Sequence, residues 1–196
     1  LMGVVVENPA VSIQGTKLKS DGPLLITHWG MSGPAILKLS AFGARILSEK
    51  NYEFKTQVNW VHISNSDLVL NELSAIIQEH PNKILANFRP YLLPERLWHY
   101  LIDRAVLSRQ STWSQLGKKA LNKLVNVLTN DVYSVKGKTT FKEEFVTCGG
   151  VSLESIDFKT MQSNVVSGLY FAGEVLDIDG ITGGYNFQAA WTTAFV

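Results

Sequence analysis

The sequence predicts an α+β fold, in which two β-rich parts flank a helical insert and a glycine-rich segment closes the chain. Residues 3–18 are predicted to be β, because Val4, Val5 and Val6 are β-branched and, after a break at Asn8-Pro9, residues 11–19 alternate apolar and polar side chains. Residues 52–63 alternate in the same way, which is typical of strands that are half exposed to solvent. From residue 66 to residue 129 the apolar positions recur with the period of an amphipathic helix. Strand-like runs then return. From about Gly183 onward the sequence predicts a helix that begins after a pair of glycines.

The first β-rich part is expected to cover residues 1–65. It contains a short apolar strand at Leu24–Ile26, which follows a turn. A helix is expected after this strand, because Ser32 can cap its first turn and Pro34 suits a position where no backbone N–H is needed. The apolar pattern carries this helix to about Leu47.

The helical insert is expected to cover residues 66–129 and to contain three amphipathic helices. The first begins where Ser66 or Asp67 can cap it. The second is predicted over residues 92–107 and the third over residues 114–128, each with one apolar face. An insert of this kind buries its apolar stripes against one another and needs no sheet of its own.

Two further parts complete the predicted organisation. A β-rich return covers residues 130–164, with strands at residues 131–136 and Phe145–Cys148. A C-terminal piece covers residues 165–196 and contains the apolar run Leu169–Ala172, which predicts a buried strand.

Composition limits the classes of partner. Eighteen basic residues stand against 17 acidic ones, so the net charge of +1 predicts neither a nucleic-acid nor a membrane partner. Cys148 is the single cysteine, which excludes an intramolecular disulfide and favours a cytoplasmic location. The chain opens on a strand-like run and stops within a helical pattern, so we expect an excised fragment.

The most informative segment runs from Gly168 to Ala190. It predicts a strand, a tight glycine turn with the carboxylates of Glu174 and Asp177, a glycine-rich loop and then a helix. Glycine lets the backbone approach a ligand closely, and a helix N-terminus offers free N–H groups with a partial positive charge. The alternative is a purely structural connection between a strand and a helix.

Two further sequence motifs accompany this segment, Thr27–Leu37 and Phe145–Ser152, and the second contains a double glycine. Together the three motifs resemble those of a bacterial family of flavoproteins with two dinucleotide-binding domains, the NAD(P)/FAD-dependent oxidoreductases. Some members carry the label aminoacetone oxidase family, and a relative acts as a bile-acid enone reductase. The resemblance implies a discontinuous FAD-binding domain of glutathione-reductase-like fold, interrupted by a β-barrel-like insert and a three-helix insert.

The resemblance also implies roles for particular residues. The carboxylates would accept hydrogen bonds from the ribityl hydroxyls, and the final helix would stabilise the negative charge of the reduced flavin. Asn186 can instead stabilise the helix. Thr147, Gly149 and Gly150 can line the flavin face, where glycine leaves room for substrate, or they can form a bulge that reverses the chain. The residues expected to contact the cofactor are Gly173, Glu174, Asp177, Thr182, Gly183, Gly184, Tyr185, Asn186, Gly149 and Gly150.

The sequence lacks the Gly-x-Gly-x-x-Gly turn with which such a family cradles the pyrophosphate of FAD. We therefore expect the chain alone to bind FAD weakly or not at all and to be inactive by itself. The resemblance implies that the parent protein transfers hydride between NAD(P)H or a small-molecule substrate and flavin. The alternative is a non-enzymatic binding module whose flavin-site tail is vestigial. Trp191 would be exposed on the last helix, so any oligomer of the fragment would reflect truncation.

No catalytic acid or base stands out. His28 can protonate a substrate carbanion after hydride transfer, or it can be structural. Cys148 is expected to be a small buried residue, since disulfide reductases need a paired cysteine. His62, His80 and His99 lack metal-ligand spacing, so no metal site is expected.

Overall fold

Residues 1–138 and 146–196 are described by the computed structural model of the chain, and they divide into two units. The first unit comprises Leu1–Leu39 with Phe54–Val135, and the second comprises Ser40–Glu53 with Lys136–Val196. Mixed helix and sheet structure is thereby confirmed. The bounds of the four predicted parts stay predictions.

The first unit contains two small sheets. One has the strand order β1-β4-β5 and is antiparallel, and the other has the order β3-β2-β6-β7. The strands are β1 Val5–Val6, β2 Ala10–Ile13, β3 Lys19–Asp21, β4 Leu24–Ile26, β5 Met31–Ser32, β6 Glu53–Asn59 and β7 Asp131–Lys136.

The alternating run near the N-terminus forms a hairpin of two strands, β2 and β3, instead of one long strand. Val11 pairs with Ser20, and the Thr16 hydroxyl donates to the Ile13 carbonyl oxygen at 2.9 Å within the turn. The Leu18 amide donates to the same hydroxyl oxygen at 3.1 Å. Alternation alone does not show where a chain reverses, because the pattern continues on the partner strand.

Helix α1 spans Pro34–Glu49, which confirms its start and extends it slightly. The expected cap at Ser32 is wrong, because Ser32 lies in β5 and pairs with Leu25. Gly33 is the residue between strand and helix, with a φ of 95°. A Cβ at Gly33 would stand 2.8 Å from the Pro23 carbonyl oxygen, so this corner requires glycine.

The three predicted helices of the insert are present as α2 Ser66–Glu79, α3 Glu95–Arg104 and α4 Lys118–Thr129. The cap of α2 is Asn65, whose side chain accepts a hydrogen bond from the Asp67 amide at 2.9 Å, so the prediction of Ser66 or Asp67 missed it by one residue. Helices α3 and α4 start later than predicted, because Pro94 and Leu116 adopt extended backbone conformations.

Tryptophans and leucines form the core between these helices. Trp98 and Trp113 are fully buried and stack with ring centroids 6.2 Å apart, and the Trp98 indole donates to the Leu85 carbonyl oxygen at 2.6 Å. Each buried leucine or larger side chain contributes about 1.5–3 kcal/mol through its removal from water. Trp60 is buried as well, whereas Trp29 and Trp191 are exposed.

A buried carboxylate joins the sheet of the first unit to its helices. Asp131 is 3% exposed and accepts hydrogen bonds from the Trp60 indole at 3.0 Å and from the Tyr133 hydroxyl at 2.5 Å. Arg104, near the end of α3, forms an ion pair with the other carboxylate oxygen and donates to the Val132 carbonyl oxygen at 2.7 Å. Burial and the bond to Asp131 raise the pKa of Tyr133, so this hydroxyl remains a donor.

The second unit is built around a small apolar cluster of Ile156, Met161 and Leu176, against which Val151, Phe171 and Ile178 pack. Two short strands, β8 Ile156–Asp157 and β9 Gln162–Ser163, form a hairpin, and helix α5 spans Tyr185–Phe195. The predicted C-terminal helix is therefore confirmed.

The buried strand expected at Leu169–Ala172 is not formed. Only Tyr170 makes a bridge, to Gln162, and Leu169 and Tyr170 are exposed. An apolar run becomes a strand only where neighbouring strands complete its hydrogen bonds, and within the described residues it has one such bridge. Of the strand expected at Phe145–Cys148, Phe145 lies outside the described residues and 146–148 are not strand.

Across the described ranges, no helix has both the length and the apolar character needed to cross a membrane.

We expect Asp131→Ala to lower the free energy of unfolding by about 3–5 kcal/mol, because it leaves Arg104 and the Trp60 and Tyr133 donors without their buried acceptor. Urea denaturation measures this difference. Asp103→Ala is the matched control, since the pair of Asp103 with Arg109 is exposed and should contribute less than about 1 kcal/mol. Equal losses in the two variants would contradict a structural role for the buried network.

Candidate functional site

Two glycine-containing segments lie side by side in the second unit. The Val151 amide donates to the Val175 carbonyl oxygen at 2.8 Å, and the Asp177 amide donates to the Val151 carbonyl oxygen at 3.0 Å. Val151 and Leu176 thus form a parallel bridge. These bonds bring the predicted site residues around Gly149 next to those around Asp177.

Gly150 makes the closest approach between the segments. A Cβ at this position would lie 2.5 Å from the Leu176 carbonyl carbon and 2.6 Å from the carbonyl oxygens of Val175 and Leu176. No side chain fits there, so Gly150 has the structural role that the sequence left open. Its neighbour Gly149 differs, because no described atom lies within 4 Å of a Cβ built there. Gly149 therefore presents open backbone at the surface of the site.

The acidic turn begins with a 3-10 helix at Gly173–Val175. The Gly173 amide donates to the Thr193 hydroxyl oxygen at 2.9 Å, and that hydroxyl donates to the Ala189 carbonyl oxygen at 2.8 Å. Helix α5 therefore holds the start of the turn. The Glu174 carboxylate is exposed to solvent and forms no ion pair with any described residue.

Asp177 is paired within the unit. Its two carboxylate oxygens each lie 2.6 Å from the same Arg45 guanidinium nitrogen, and the pair raises the pKa of Arg45. Arg45 lies on α1, and sequence reasoning missed it, because nothing in the spacing of residues 45 and 177 indicates a contact. An expected acceptor of ribityl hydrogen bonds thus already accepts from a cation, with its side chain 26% exposed.

Cys148 lies beside these charges. It is partly buried, which corrects the expectation of a buried residue, since it sits at the edge of the 148–151 segment and not in the apolar cluster. A hydrogen bond to Asp179, helped by partial desolvation, raises the pKa of its thiol, while Arg45 opposes that rise. The thiol is therefore held in its protonated form at neutral pH.

The N-terminus of α5 carries the remaining predicted residues. Gly184 is the cap residue with a φ of 91°, and it has no side chain to cap the helix. Thr182, Gly183 and Tyr185 are exposed. Asn186 accepts from the Gly180 amide at 2.7 Å and donates to the Gly180 carbonyl oxygen at 3.0 Å. Its side chain therefore closes the glycine-rich loop.

The remaining candidates are His28 and Thr147. His28 lies in the first unit, exposed at the tip of the β4–β5 hairpin, where its ring stacks on Trp29 at 5.6 Å. Thr147 is exposed just before Cys148. In the part of the chain that the structure describes, no three histidine, cysteine or acidic side chains come together as metal ligands.

The second unit thus brings together open glycine backbone, the exposed carboxylate of Glu174, an ion-paired aspartate and the N-terminal turn of a helix. Such a surface can accept hydrogen bonds from hydroxyl groups, approach a flat ring with backbone alone and favour negative charge near the helix. It presents no activated nucleophile, because the Cys148 thiol is protonated.

Gly150→Ala tests the backbone approach. We expect a loss of about 1–3 kcal/mol in stability, because the new methyl group forces the two segments apart. Hydrogen exchange of the Val151 and Asp177 amides should accelerate, as both bonds cross this contact. Gly30→Ala is the control, since a Cβ there meets no described atom within 4 Å. Unchanged exchange in the Gly150 variant would show that the segments tolerate separation.

Asp179→Asn should move the alkylation of Cys148 to lower pH. Asp179 raises the thiol pKa, so its neutralisation lets the reactive thiolate form at a pH where the unsubstituted protein keeps the thiol protonated. The rate of reaction with iodoacetamide, followed across pH, measures the shift. Asp157→Asn serves as the control, because Asp157 is not among the groups that act on this thiol. Superimposable profiles for Asp179→Asn and the unsubstituted protein would refute the contact.

The chain is similar over most of its length to proteins with assigned activities. Ribosomal RNA dihydrouridine synthase of Haemophilus influenzae is 35% identical over 172 residues, which cover 88% of this chain and 40% of that protein. The Escherichia coli protein of the same name is 34% identical over 195 residues, or 100% of this chain and 46% of the relative. The 3-dehydro-bile acid delta(4,6)-reductase of Clostridium scindens is 25% identical over 196 residues, which cover 99% of this chain and 48% of that protein.

The chain therefore spans less than half the length of the curated relatives it matches. Residues 1–146 match the family described as HI0933-like protein barrel and H2TH domain. That description agrees with the β-rich and helical inserts predicted from sequence. Because the match covers about three quarters of the residues, the chain belongs to the HI0933-like family.

Proposed function

We propose that this chain is part of an FAD-dependent oxidoreductase, to which it contributes the substrate-side inserts and the flavin-ring end of the FAD site. The observation that carries the proposal is the pairing of residues 149–151 with residues 175–177 beside the acidic turn that α5 holds. The relatives are named as a reductase and as two synthases of a reduced nucleoside, and these names support an enzymatic function for the parent protein.

The residues of the second unit fit the ring end of a flavin. Gly149 and Gly173 leave open space where a Cβ would stand, so the backbone can approach a flat ring. Glu174 is an exposed acceptor for ribityl hydroxyls, and the uncapped first turn of α5 offers N–H groups to a negatively charged ring. Asp177 can accept further hydrogen bonds through lone pairs that Arg45 leaves unused.

The same residues do not supply a pyrophosphate site, because the sequence has no Gly-x-Gly-x-x-Gly turn. We therefore assign the adenine and pyrophosphate contacts to no residue of this chain, and we expect the chain alone to bind FAD weakly or not at all. The parent protein, not the isolated chain, is the active species in this proposal.

The relatives' names suggest the type of bond that is reduced. Dihydrouridine is uridine with its ring C=C bond saturated, and a delta(4,6)-reductase of a 3-dehydro bile acid acts on C=C bonds conjugated with a ketone. FAD, when bound, supplies hydride transfer from NAD(P)H to the substrate. In the balanced reaction a hydride adds to the β-carbon of the conjugated system, a proton adds to the α-carbon, and NAD(P)H becomes NAD(P)⁺.

The chain's own residues hold and orient the reactants in this scheme. Glu174 and Asp177 fix the ribityl chain, Gly149 leaves room for the substrate against the ring, and Gly150 keeps the two segments in register. His28 is the candidate proton donor, and Thr147 is a candidate for lining the flavin face.

We propose uridine in ribosomal RNA as the substrate, because the two relatives of that name are 34–35% identical to this chain, against 25% for the bile-acid reductase. This proposal departs from the expectation of no nucleic-acid partner, which rested on the net charge of +1. Net charge averages over the whole surface and does not describe a local patch.

The test uses the whole parent protein reconstituted with FAD and supplied with NADH or NADPH and unmodified ribosomal RNA. We expect dihydrouridine in the digested RNA, measured by nucleoside mass spectrometry, together with oxidation of the nicotinamide. A protein that stays colourless after reconstitution would refute the proposal that it is a flavoprotein and would favour the alternative of a non-enzymatic binding module. Reduction of a steroid enone without reduction of RNA would overturn the choice of substrate.

Glu174→Ala should weaken FAD binding by about 10- to 100-fold, since it removes a charged hydrogen-bond acceptor. Fluorescence titration of the parent protein measures the change. Glu154→Ala is the matched control, because Glu154 is also an exposed glutamate in a 3-10 turn of the second unit. Equal affinities in the two variants would remove Glu174 from the proposed site.

A further inference from the structure

Helix α4 presents a polar and basic face to solvent. Its apolar side chains, Leu121, Leu124, Val125 and Leu128, are buried in the first unit. The opposite side carries Lys118, Lys119, Asn122, Lys123 and Asn126, which we name the α4 lysine face. These five residues recur at helical spacing and are all exposed, so they form one continuous surface.

Charge is segregated along this part of the chain. Residues 104–130 contain five basic residues and no acidic one. Arg104 and Arg109 are neutralised by Asp131 and Asp103. Among the residues that the structure describes, the three lysines of the α4 lysine face have no acidic partner. The net charge of +1 hides this local excess.

The α4 lysine face continues into a polar groove between α2 and α4. Asn122 and Asn126 line both surfaces, and the groove has a volume of about 290 Å³. Its wall contains one acid, Asp67 on α2, and none of the three lysines. Hydroxyl and amide groups provide most of the remaining polar lining, from Ser66, Asn122, Asn126, Thr129 and Asn130.

We propose that the α4 lysine face binds the sugar–phosphate backbone of the RNA substrate and that the adjoining groove receives ribose and base groups. This inference rests on the proposed function and deepens it. Lysine ammonium groups neutralise phosphates without reading sequence, and side-chain amides donate to and accept from ribose hydroxyls and base edges. The partial positive charge at the N-terminal turn of α4 has the same sign as the lysines.

Other partners fit this surface less well. A helix that lies on a membrane buries apolar or aromatic side chains beside its cations, whereas this face offers asparagines and the apolar stripe of α4 points inward. Stable protein interfaces are depleted in lysine and centred on aromatic or apolar residues. RNA requires neither an apolar nor an aromatic centre for backbone contact.

The test compares a triple variant, Lys118→Gln with Lys119→Gln and Lys123→Gln, with the unsubstituted protein. Glutamine keeps the helix propensity of lysine and removes only the charge, and circular dichroism checks the fold. A control variant neutralises Lys17, Lys83 and Lys159, which are exposed on three separate turns. The probe is a fluorescent RNA hairpin with a uridine-containing loop, titrated by anisotropy at several salt concentrations.

Each phosphate contact contributes about 0.7–0.9 to the slope of log affinity against log salt. We therefore expect the triple variant to lose about 2–3 from the magnitude of this slope and to bind the RNA at least about 10-fold more weakly at low salt. The control variant should keep the slope of the unsubstituted protein. Replacement of the same three lysines by arginine should preserve binding, since the charge is retained.

Three outcomes would overturn the inference: no RNA binding by the unsubstituted protein, equal slopes for the triple variant and the control, or loss of binding to phosphatidylglycerol vesicles with RNA binding unchanged. Binding is measured without FAD or NAD(P)H, so its outcome is separate from that of the reduction assay. RNA binding that depends on these lysines, with no reduction of uridine, would refute uridine as the substrate and leave the α4 lysine face as an RNA-binding surface.

Discussion

The backbone of Gly150 lies directly against the backbone of Val175 and Leu176, and the candidate site depends on this approach. The approach allows the two bonds of Val151, which hold the double glycine beside the acidic turn. Leu176 is buried in the apolar cluster beneath, so packing fixes the same contact from the other side. A site made mostly of backbone and glycine needs such support, because it has few side chains to define its shape.

The charged side chains of the site determine which ligands it favours, in addition to the backbone contacts. Asp177 and Asp179 stand near Cys148, and Arg45 offsets part of their negative charge. Two carboxylates alone would oppose an anionic ring, whereas the arginine and the first turn of α5 add positive charge in the same unit. Glu174 stays unpaired and exposed among the described residues, which leaves it the most available acceptor for a bound hydroxyl.

The sequence predicted elements that follow from periodicity and missed those that depend on distant partners. Helices α2, α3 and α4 follow from apolar spacing, which is local information. The run Leu169–Ala172 has the composition of a strand, yet composition does not provide neighbours. Arg45 and Asp177 are 132 residues apart in the chain, and no local pattern relates them. The sequence treats the two glycines of the 149–150 pair alike, whereas the structure distinguishes Gly150, which excludes a side chain, from Gly149, which faces open space.

A crystal structure of the FAD-bound parent protein would test the central claim most directly, namely that residues 149–150 and 173–186 form the flavin-ring end of the site. We expect the ring to lie against the backbone of Gly149, a ribityl hydroxyl to donate to Glu174 or Asp177, and the first turn of α5 to point at the pyrimidine edge of the ring. A flavin ring bound away from both segments would contradict it.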